Sequence, residues 1–246
     1  MMTELSRRAH PFVIALFALF LVQSCVVDQR PVAAPEDDRK STLLVGSAAL
    51  PEPMTGIARH PWIAFKVAGE EEWERWEVMC CPYTIERKGL PPIERGTVRK
   101  SHYSPLSDHG GGGGDVRIHG TFRGPEADRM IACVRERAPK YPYDREYLVW
   151  PGPNSNTFVD YMLRECDIPV DLPAPAIGKD YRGRIVGVST TSGGTGVQLE
   201  TALVGLKLGV TEGVEVHIFG MAFGLDLWPP ALIVPIGPGR FGFDDR

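Results

Sequence analysis

The sequence predicts an α+β protein, in which antiparallel strands and packed helices over residues 43–181 are followed by a β-rich appendage over residues 182–246. Short runs of alternating apolar residues predict the strands. Stretches with helical spacing that begin near turn residues predict the helices. Beyond Tyr181 the chain contains apolar runs interrupted by glycine and turn residues, which is typical of antiparallel sheet.

The first 25 residues have the pattern of an export signal. Arg7 and Arg8 form a basic segment, and an apolar stretch over residues 12–22 follows. This stretch is shorter than the roughly 20 residues that cross a bilayer, so a cleaved signal peptide is favoured over an uncleaved anchor. Because the residues up to Cys25 resemble a bacterial lipobox, we expect Cys25 to carry lipid and residues 26–42 to form a polar linker. One position departs from that pattern, and cleavage without lipidation is the alternative. The resemblance implies an outer-membrane or periplasmic lipoprotein of the cell envelope, held to the membrane by its N-terminal lipid.

Three strands are predicted in the first half of the core. Residues 61–67 and 72–79 surround a short polar turn and predict a hairpin, and residues 116–122 predict a third strand. Between them lie five consecutive glycines, Gly110 to Gly114. Ordering these glycines would lose much backbone entropy, so the run predicts a mobile loop.

The second half of the core should bring a hydroxyl group to the start of a helix. A helix is predicted over residues 124–138 and a short strand over residues 147–150. The Pro-Gly-Pro turn at 151–153 cannot continue either element, and residues 158–166 again predict a helix. Ser155 therefore lies at or next to a helix N-terminus, where free amides and the helix dipole surround its oxygen. Ser and Asn are also preferred helix caps, so capping and catalysis both stay open for this residue.

Apolar residues of the appendage are expected on both faces of its sheet. Val214, Val216 and Ile218 are set against Met221 and Phe223 in this prediction. At least part of the sheet should then be covered by the core or by a partner. Exposure at a membrane surface is the less favoured alternative.

Composition excludes some classes of function. The net charge is −4, and no Lys/Arg run with interleaved aromatic residues occurs, so we expect no nucleic-acid partner. The chain contains neither a CxxC nor an HExxH motif, so no metal site and no cofactor are predicted. Cys80, Cys81, Cys133 and Cys166 form an even set in a chain expected to leave the cytoplasm; disulfides suit that compartment, but their pairing is open.

Four motifs of the core resemble an uncharacterised bacterial family, domain-of-unknown-function family 3750. These motifs are His60-Pro61-Trp62-Ile63, Tyr141-Pro142-Tyr143, Gly152-Pro153-Asn154-Ser155-Asn156-Thr157-Phe158 and Ala176-Ile177-Gly178-Lys179-Asp180-Tyr181. The resemblance covers nearly the whole exported region and implies no known activity.

Two of these motifs also resemble, more distantly, the circularly permuted papain-like group that includes the NlpC peptidases and the lecithin:retinol acyltransferase-like proteins. The strand that begins with His60 is similar to their His-Trp-Ala-Ile-Tyr strand, and the segment around Ser155 is similar to their Asn-Cys-Glu-His-Phe segment. The resemblance implies a permuted papain-like core for residues 43–181. It also places Ser155 where the group has its nucleophilic cysteine.

The resemblance implies specific roles if this site is active. His60 would take the proton of Ser155, and Glu77 or His119 would orient the imidazole ring. A serine hydroxyl needs such a base, because it ionises far above neutral pH whereas a thiol near a helix start is partly ionised. Each of these residues also has an ordinary structural explanation, as a packed strand histidine or a solvent-facing charge.

Two hypotheses about function follow. In the first, the chain is an amidase, peptidase or acyltransferase that acts on a cell-envelope peptide or lipid, with Asn154, Asn156 or backbone amides stabilising an oxyanion and Trp62 contacting the substrate. In the second, it is a non-catalytic binding or scaffold lipoprotein on a degenerate papain-like fold. Ser155 within hydrogen-bond reach of His60 favours the first hypothesis, and His60 turned away favours the second.

Overall fold

The structure is a computed structural model that describes residues 39–80, 96–108, 112–183, 185–191 and 194–243. These residues form two antiparallel sheets and two helices. None of the helices in the described ranges has the length and apolar character needed to cross a membrane. The predicted export signal and Cys25 lie outside the described residues.

The first sheet has five strands in the spatial order β4-β3-β2-β1-β5. The strands are β1 (Thr42–Ala49), β2 (Arg59–Lys66), β3 (Glu74–Val78), β4 (Val98–Ser101) and β5 (Arg117–Arg123). The predicted hairpin is confirmed, since Ile63 on β2 lies opposite Trp76 on β3. Strand β1 was not predicted: every one of its residues is buried, so it lacks the polar alternation that marks a half-buried strand.

Two helices cover one face of this sheet. Helix α1 (Pro125–Arg137) confirms the first predicted helix, and helix α2 (Ser155–Glu165) begins three residues earlier than predicted. A 3₁₀ turn (Ala138–Lys140) follows α1. The predicted strand at 147–150 is wrong: the amide of Leu148 donates to the carbonyl of Pro153 at 2.8 Å, so this segment folds into a turn instead of joining a sheet.

The main core lies between the helices and what we call the helix face of the first sheet. Ile63 and Phe65 on β2 and Trp76 on β3 pack there with Phe158 and Met162 of α2. Side chains alternate along a strand, so the residues between them point to the other side, which we call the opposite face.

The opposite face carries a second, smaller cluster. Trp62 and Ala64 on β2 pack there with Ala48 on β1. Helix α1 packs against β1 and β5, and α2 packs against β2 and β3, both on the helix face.

A disulfide joins the ends of the two helices. Cys133 on α1 is bonded to Cys166, which follows α2, with the two Cα atoms 5.6 Å apart. Cys80 is also disulfide-bonded. The pairing that the sequence left open is therefore decided for Cys133 and Cys166.

The described part of the glycine run is ordered against β1, contrary to the expectation of a mobile loop. The amide of Gly113 donates to the carbonyl of Ala49 at 3.0 Å, and the amide of Ala49 donates to the carbonyl of Gly114 at 3.3 Å. The carboxylate of Asp108 accepts a bond from the amide of Gly114. The backbone of β1 thus pairs with the glycines beyond the edge of the sheet.

The second sheet contains seven strands in sequential order from β12 to β6. They are β6 (Val186–Thr190), β7 (Gly196–Thr201), β8 (Val204–Gly209), β9 (Gly213–Ile218), β10 (Met221–Leu227), β11 (Pro230–Ile233) and β12 (Arg240–Gly242). One face, here called the inner face, is buried and polar, and the outer face is exposed and apolar. The expectation of apolar residues on both faces is wrong: Val216 lies opposite Phe223 and Ile218 opposite Met221, so all four share the outer face.

Gly46 on β1 provides a test of packing on the opposite face. A Cβ atom added to Gly46 would lie 2.8 Å from the ring of Trp62, which is fully buried. We expect Gly46→Ala to lower the free energy of unfolding by about 1–3 kcal/mol through overpacking, measured by urea denaturation. In a Trp62→Leu background, which makes room for the methyl group, the same substitution should have a smaller effect. Equal losses in both backgrounds would contradict this packing.

Candidate functional site

Asn154, and not Ser155, caps helix α2. The side-chain oxygen of Asn154 accepts bonds from the amides of Asn156 and Thr157 at 2.9 and 3.2 Å. The hydroxyl of Thr157 accepts a bond from the amide of Asn154 at 3.0 Å, which completes a capping box. Ser155 is the first helical residue and is buried, and within the described ranges its hydroxyl makes no hydrogen bond. Ser155 therefore lies at the helix start as predicted, but the capping task belongs to its neighbour.

The side-chain amides of Asn154 and Asn156 hold the segment 176–181 against this helix start. The Nδ2 atom of Asn154 donates to the carbonyls of Val149 and Ile177, and that of Asn156 donates to Ile177 at 2.7 Å. A Cβ atom on Gly178 would lie 2.3 Å from Nδ2 of Asn154, so only glycine fits there. The structure thus gives both asparagines a structural task, and neither side-chain amide is left to bind the predicted oxyanion.

His60 belongs to a fully buried polar cluster with Glu77 and Arg75. The Nε2 atom of His60 lies 3.0 Å from Oε2 of Glu77, and Nε and Nη2 of Arg75 donate to the same oxygen at 3.0 and 2.8 Å. The guanidinium of Arg75 also lies 3.8 Å above the ring of Trp62 and donates to the carbonyl of Ser107. Glu77 therefore does orient the imidazole, as predicted, and Trp62 packs within the protein beneath Arg75.

The charge on Glu77 is stabilised by these partners. Burial raises the pKa of Glu77, but the bond from His60 and the positive charge of Arg75 outweigh burial, and the pKa lies below its ordinary value. The other carboxylate oxygen, Oε1, is buried without a hydrogen-bond partner. A carboxylate between a histidine and an arginine is a stable anchor for both cations.

The cluster lies on the opposite face of the first sheet, away from α2. His60 is two residues before Trp62 along β2, and Glu77 shares its side of β3 with Arg75, which stacks on Trp62. Helix α2 packs on the helix face. No hydrogen bond joins Ser155 to His60, although the structure describes both residues. The sheet thus separates the two members of the predicted catalytic pair.

His119 belongs to a third group and does not contact His60 or Glu77 through any described hydrogen bond. Its Nε2 atom lies 2.7 Å from the hydroxyl of Ser47. The same hydroxyl accepts a bond from Arg59, which is paired with Asp115 at 2.7 Å. Ser47 and Arg59 alternate with Ala48 and His60 along their strands, so this group faces the other way from His60.

A buried ionic network joins the core to the inner face of the second sheet, and the sequence analysis missed it. We define it by seven charged side chains: Asp171, Lys179, Asp180, Glu200, Lys207, Glu215 and His217. Lys179 pairs with Asp180 at 2.8 Å. Lys207 pairs with Asp171 at 3.1 Å and with Glu215 at 3.2 Å. Charged residues at every second position of otherwise apolar strands were the available signal.

Amide and guanidinium groups extend this network to helix α2. Gln198 on β7 donates to Asp180 at 2.9 Å and to Glu200 at 2.8 Å. Arg182 pairs with Asp160 of α2 at 2.8 Å and donates to the side-chain oxygen of Gln198 at 2.7 Å. The helix that carries Ser155 is therefore tied to the second sheet.

His217 is the titratable centre of the network. Its two ring nitrogens contact the carboxylates of Glu200 and Glu215. Burial lowers the pKa of His217, but the charge of Asp180 and the bonds to Glu200 and Glu215 outweigh burial and raise it to about 9. Asp180 has a pKa well below its ordinary value, because burial is outweighed by the charges of Lys179, His217 and Lys207.

Asp180, Glu200 and His217 also have ligand atoms within 4.8 Å of one another, close enough to surround a metal ion. A histidine must be neutral to bind a metal, however, and a pKa of about 9 keeps His217 protonated at neutral pH. Lys179 and Lys207 supply further positive charge next to the same carboxylates. The chain itself therefore compensates the carboxylates, and the arrangement suits an ion-pair network better than a metal centre.

Comparison with known proteins gives one match. The family model described as "Protein of unknown function (DUF3750)" matches residues 42–181. No curated protein and no solved structure matches the chain.

Removing the carboxylate of Glu77 should destabilise the protein strongly. Glu77→Ala leaves the buried cations of the cluster without their shared partner, and we expect a loss of about 3–5 kcal/mol in the free energy of unfolding. The control is Glu72→Ala on the same hairpin, whose side chain is 75% exposed. It should change the unfolding free energy by less than about 0.5 kcal/mol. Similar small effects for both variants in urea denaturation would contradict the cluster.

The ionic network should make stability depend on pH above neutrality. The pKa of His217 is raised from 6.5 to about 9 in the folded protein. Its stabilising contribution is then complete below about pH 6.5 and is lost as the pH rises through about 9, by up to about 3 kcal/mol. Urea denaturation across this range should show the loss, and His217→Gln should flatten it. His102→Gln, at an exposed histidine, should keep the parent profile; a flat parent profile would refute the role of His217.

Proposed function

Because the chain belongs to the DUF3750 family, whose description assigns no activity, we propose a function from geometry alone: an exported, non-catalytic binding or scaffold protein of the cell envelope. One observation carries this proposal. The imidazole of His60 is held by Glu77 on the opposite face of the first sheet, whereas Ser155 begins the helix on the other side. A general base must reach the proton that it removes, and here a sheet intervenes.

We propose that the core is a degenerate form of the permuted papain-like architecture. The chain order supports this relationship, since strands with His60, Glu77 and His119 precede α1 and the helix that begins at Ser155. The motifs that resemble the papain-like enzymes take part in structural contacts in this chain. Asn154 caps a helix, and Glu77 compensates Arg75.

Placement in the envelope draws on the predicted export signal and on the cysteines. A Cα separation of 5.6 Å between Cys133 and Cys166 lies in the usual range for a disulfide. Such bonds persist in oxidising compartments outside the cytoplasm. A lipid on Cys25 and an envelope peptide or lipid as ligand belong to the same proposal.

The alternative is acyl transfer by Ser155 with His60 as the base. It draws on a buried serine hydroxyl at a helix start that makes no described hydrogen bond, and on the acid–imidazole pair of Glu77 and His60. It requires the serine and the histidine to meet, and a chemical test can decide between the two functions.

The test replaces Ser155 by cysteine and measures alkylation by iodoacetamide at neutral pH, with the rate read by mass spectrometry at the peptide that contains position 155. We expect the same rate in Ser155→Cys and in Ser155→Cys with His60→Gln, because a histidine on the other side of the sheet cannot lower the pKa of the thiol. Glutamine keeps a donor for Glu77, so the cluster stays paired. Glu136→Cys, on the exposed side of α1, gives the rate of an ordinary thiol.

Dependence of the rate on His60 decides the outcome. If the thiol at position 155 reacts at least about tenfold faster than that at position 136, and His60→Gln removes the difference, His60 and Ser155 act together and the binding function is refuted.

A further inference from the structure

The outer face of the second sheet is a continuous apolar surface. One row crosses five strands through Val188, Leu199, Leu206, Val216 and Phe223, each opposite the next in register. All five side chains are exposed, Val188 to 74%.

A second row runs parallel to the first and reaches further across the sheet. It passes through Val197, Leu208, Val214, Leu225 and Leu232, which again lie opposite one another. All five are exposed, and neither row contains a charged residue.

This surface is larger than a soluble monomer usually leaves in water. Seven strands spaced by about 4.8 Å, each about six residues long, give a face of roughly 30 by 20 Å, or about 600 Å². Contiguous apolar patches of this size mark interaction sites.

The sheet cannot turn this face inward. Its inner face carries Glu200, Lys207, Glu215 and His217, which are paired in the buried ionic network. Turning the sheet over would leave these charges without partners and would place apolar side chains against Asp180. The apolar face is therefore fixed outward by the interactions of the other face.

The rim of the face indicates what covers it. Trp228, in the turn after β10, is 81% exposed, and Val210 is exposed at the same end of the strands. At the other end Leu203 and Phe219 are exposed, and the indole of Trp150 donates to the carbonyl of Phe219 at 2.5 Å. An interface with another protein has an apolar centre and a polar rim. Here the rim is apolar and aromatic, as in proteins that enter the headgroup layer of a membrane.

We propose that the outer face of the second sheet lies on a phospholipid bilayer, with its aliphatic side chains at the acyl boundary and Trp228 and Phe219 among the headgroups. The strand residues described on this face carry no charge, so attraction to anionic lipid contributes little. Binding rests on burial of apolar area. This site goes beyond the proposed function and would stand even if Ser155 were shown to be catalytic.

The predicted lipid on Cys25 is compatible with this contact. Seventeen residue steps separate Cys25 from Thr42 at the start of β1. An extended chain of that length spans up to roughly 55–60 Å, more than the diameter of a small domain. Two attachments, the lipid and the sheet, would then hold one molecule with a defined face toward the membrane.

The experiment locates single positions relative to lipid in the full chain. An environment-sensitive dye is attached to Val216→Cys, at the centre of the outer face, and in a second protein to Glu136→Cys on α1. Each protein is bound to phosphatidylcholine vesicles with and without brominated acyl chains, and the unsubstituted chain treated in the same way gives the background. We expect bromine to quench the dye at position 216 several-fold more strongly than at position 136.

Two further arms identify the source of the contact. Quenching at position 216 should be the same at about 0.1 M and 1 M salt, because screening affects only charged attraction. Adding Leu206→Lys, at an exposed neighbour on the face, should weaken quenching several-fold. The matched control is Ile57→Lys, at an exposed apolar residue outside the second sheet, which should leave quenching unchanged.

The proposal is overturned by any of three results. The dye at position 216 is not quenched; quenching disappears at high salt; or Leu206→Lys has no more effect than Ile57→Lys. If the dye is unquenched but shows energy transfer between labelled copies that rises with protein concentration, the face is covered by a second copy of the chain and not by lipid. None of these results bears on the reactivity of position 155, so the two proposals fail independently.

Discussion

The orientation of the second sheet depends on the buried ionic network between its inner face and the segment 171–182. Burying a charge is unfavourable unless a partner compensates it. Lys207, Glu215 and His217 find their partners on Asp171 and Asp180, and Arg182 adds a link to Asp160 on α2. Each carboxylate has a cation within reach, and each cation has at least one carboxylate. These charges therefore have one arrangement that satisfies them all, which places the sheet on the core in one orientation.

The family match ends within this network. It covers residues 42–181 and so includes Lys179 and Asp180, whereas Lys207 and His217 lie beyond it. A core of this family that lacked the second sheet would expose Asp180 and Lys179 to solvent with only each other and Asp171 as partners. The two parts of the chain are thus joined by charge, and the second sheet completes the environment of residues in the matched region.

The alternation of side chains along strands explains both the core and the surface. On the first sheet it sends His60 and Glu77 to one side and the contacts of α2 to the other. On the second sheet it turns every charged strand residue of the network inward and leaves the aliphatic residues outside. In both sheets neighbours in sequence have opposite environments. Two residues that resemble a catalytic pair can therefore be kept apart by a single layer of backbone.

The sequence by itself determined the local elements of this protein. The hairpin of β2 and β3, helix α1, the helix start at Ser155 and the contact between His60 and Glu77 follow from periodicity, turn residues and motif order. These features depend on residues close in the chain or on one register, so a local pattern carries them. Membership of the family was likewise readable from short motifs.

Only the tertiary structure decided which residues meet. Strand β1 was invisible because burial on both faces removes the alternating pattern, and the ordering of Gly113 depends on a strand edge more than sixty residues away. The separation of His60 from Ser155 depends on which face α2 covers, and a linear pattern contains no such information. The ionic network unites residues up to 46 positions apart, from Asp171 to His217. Their charges appeared in the sequence, but partnership between buried charges is a property of three-dimensional packing alone.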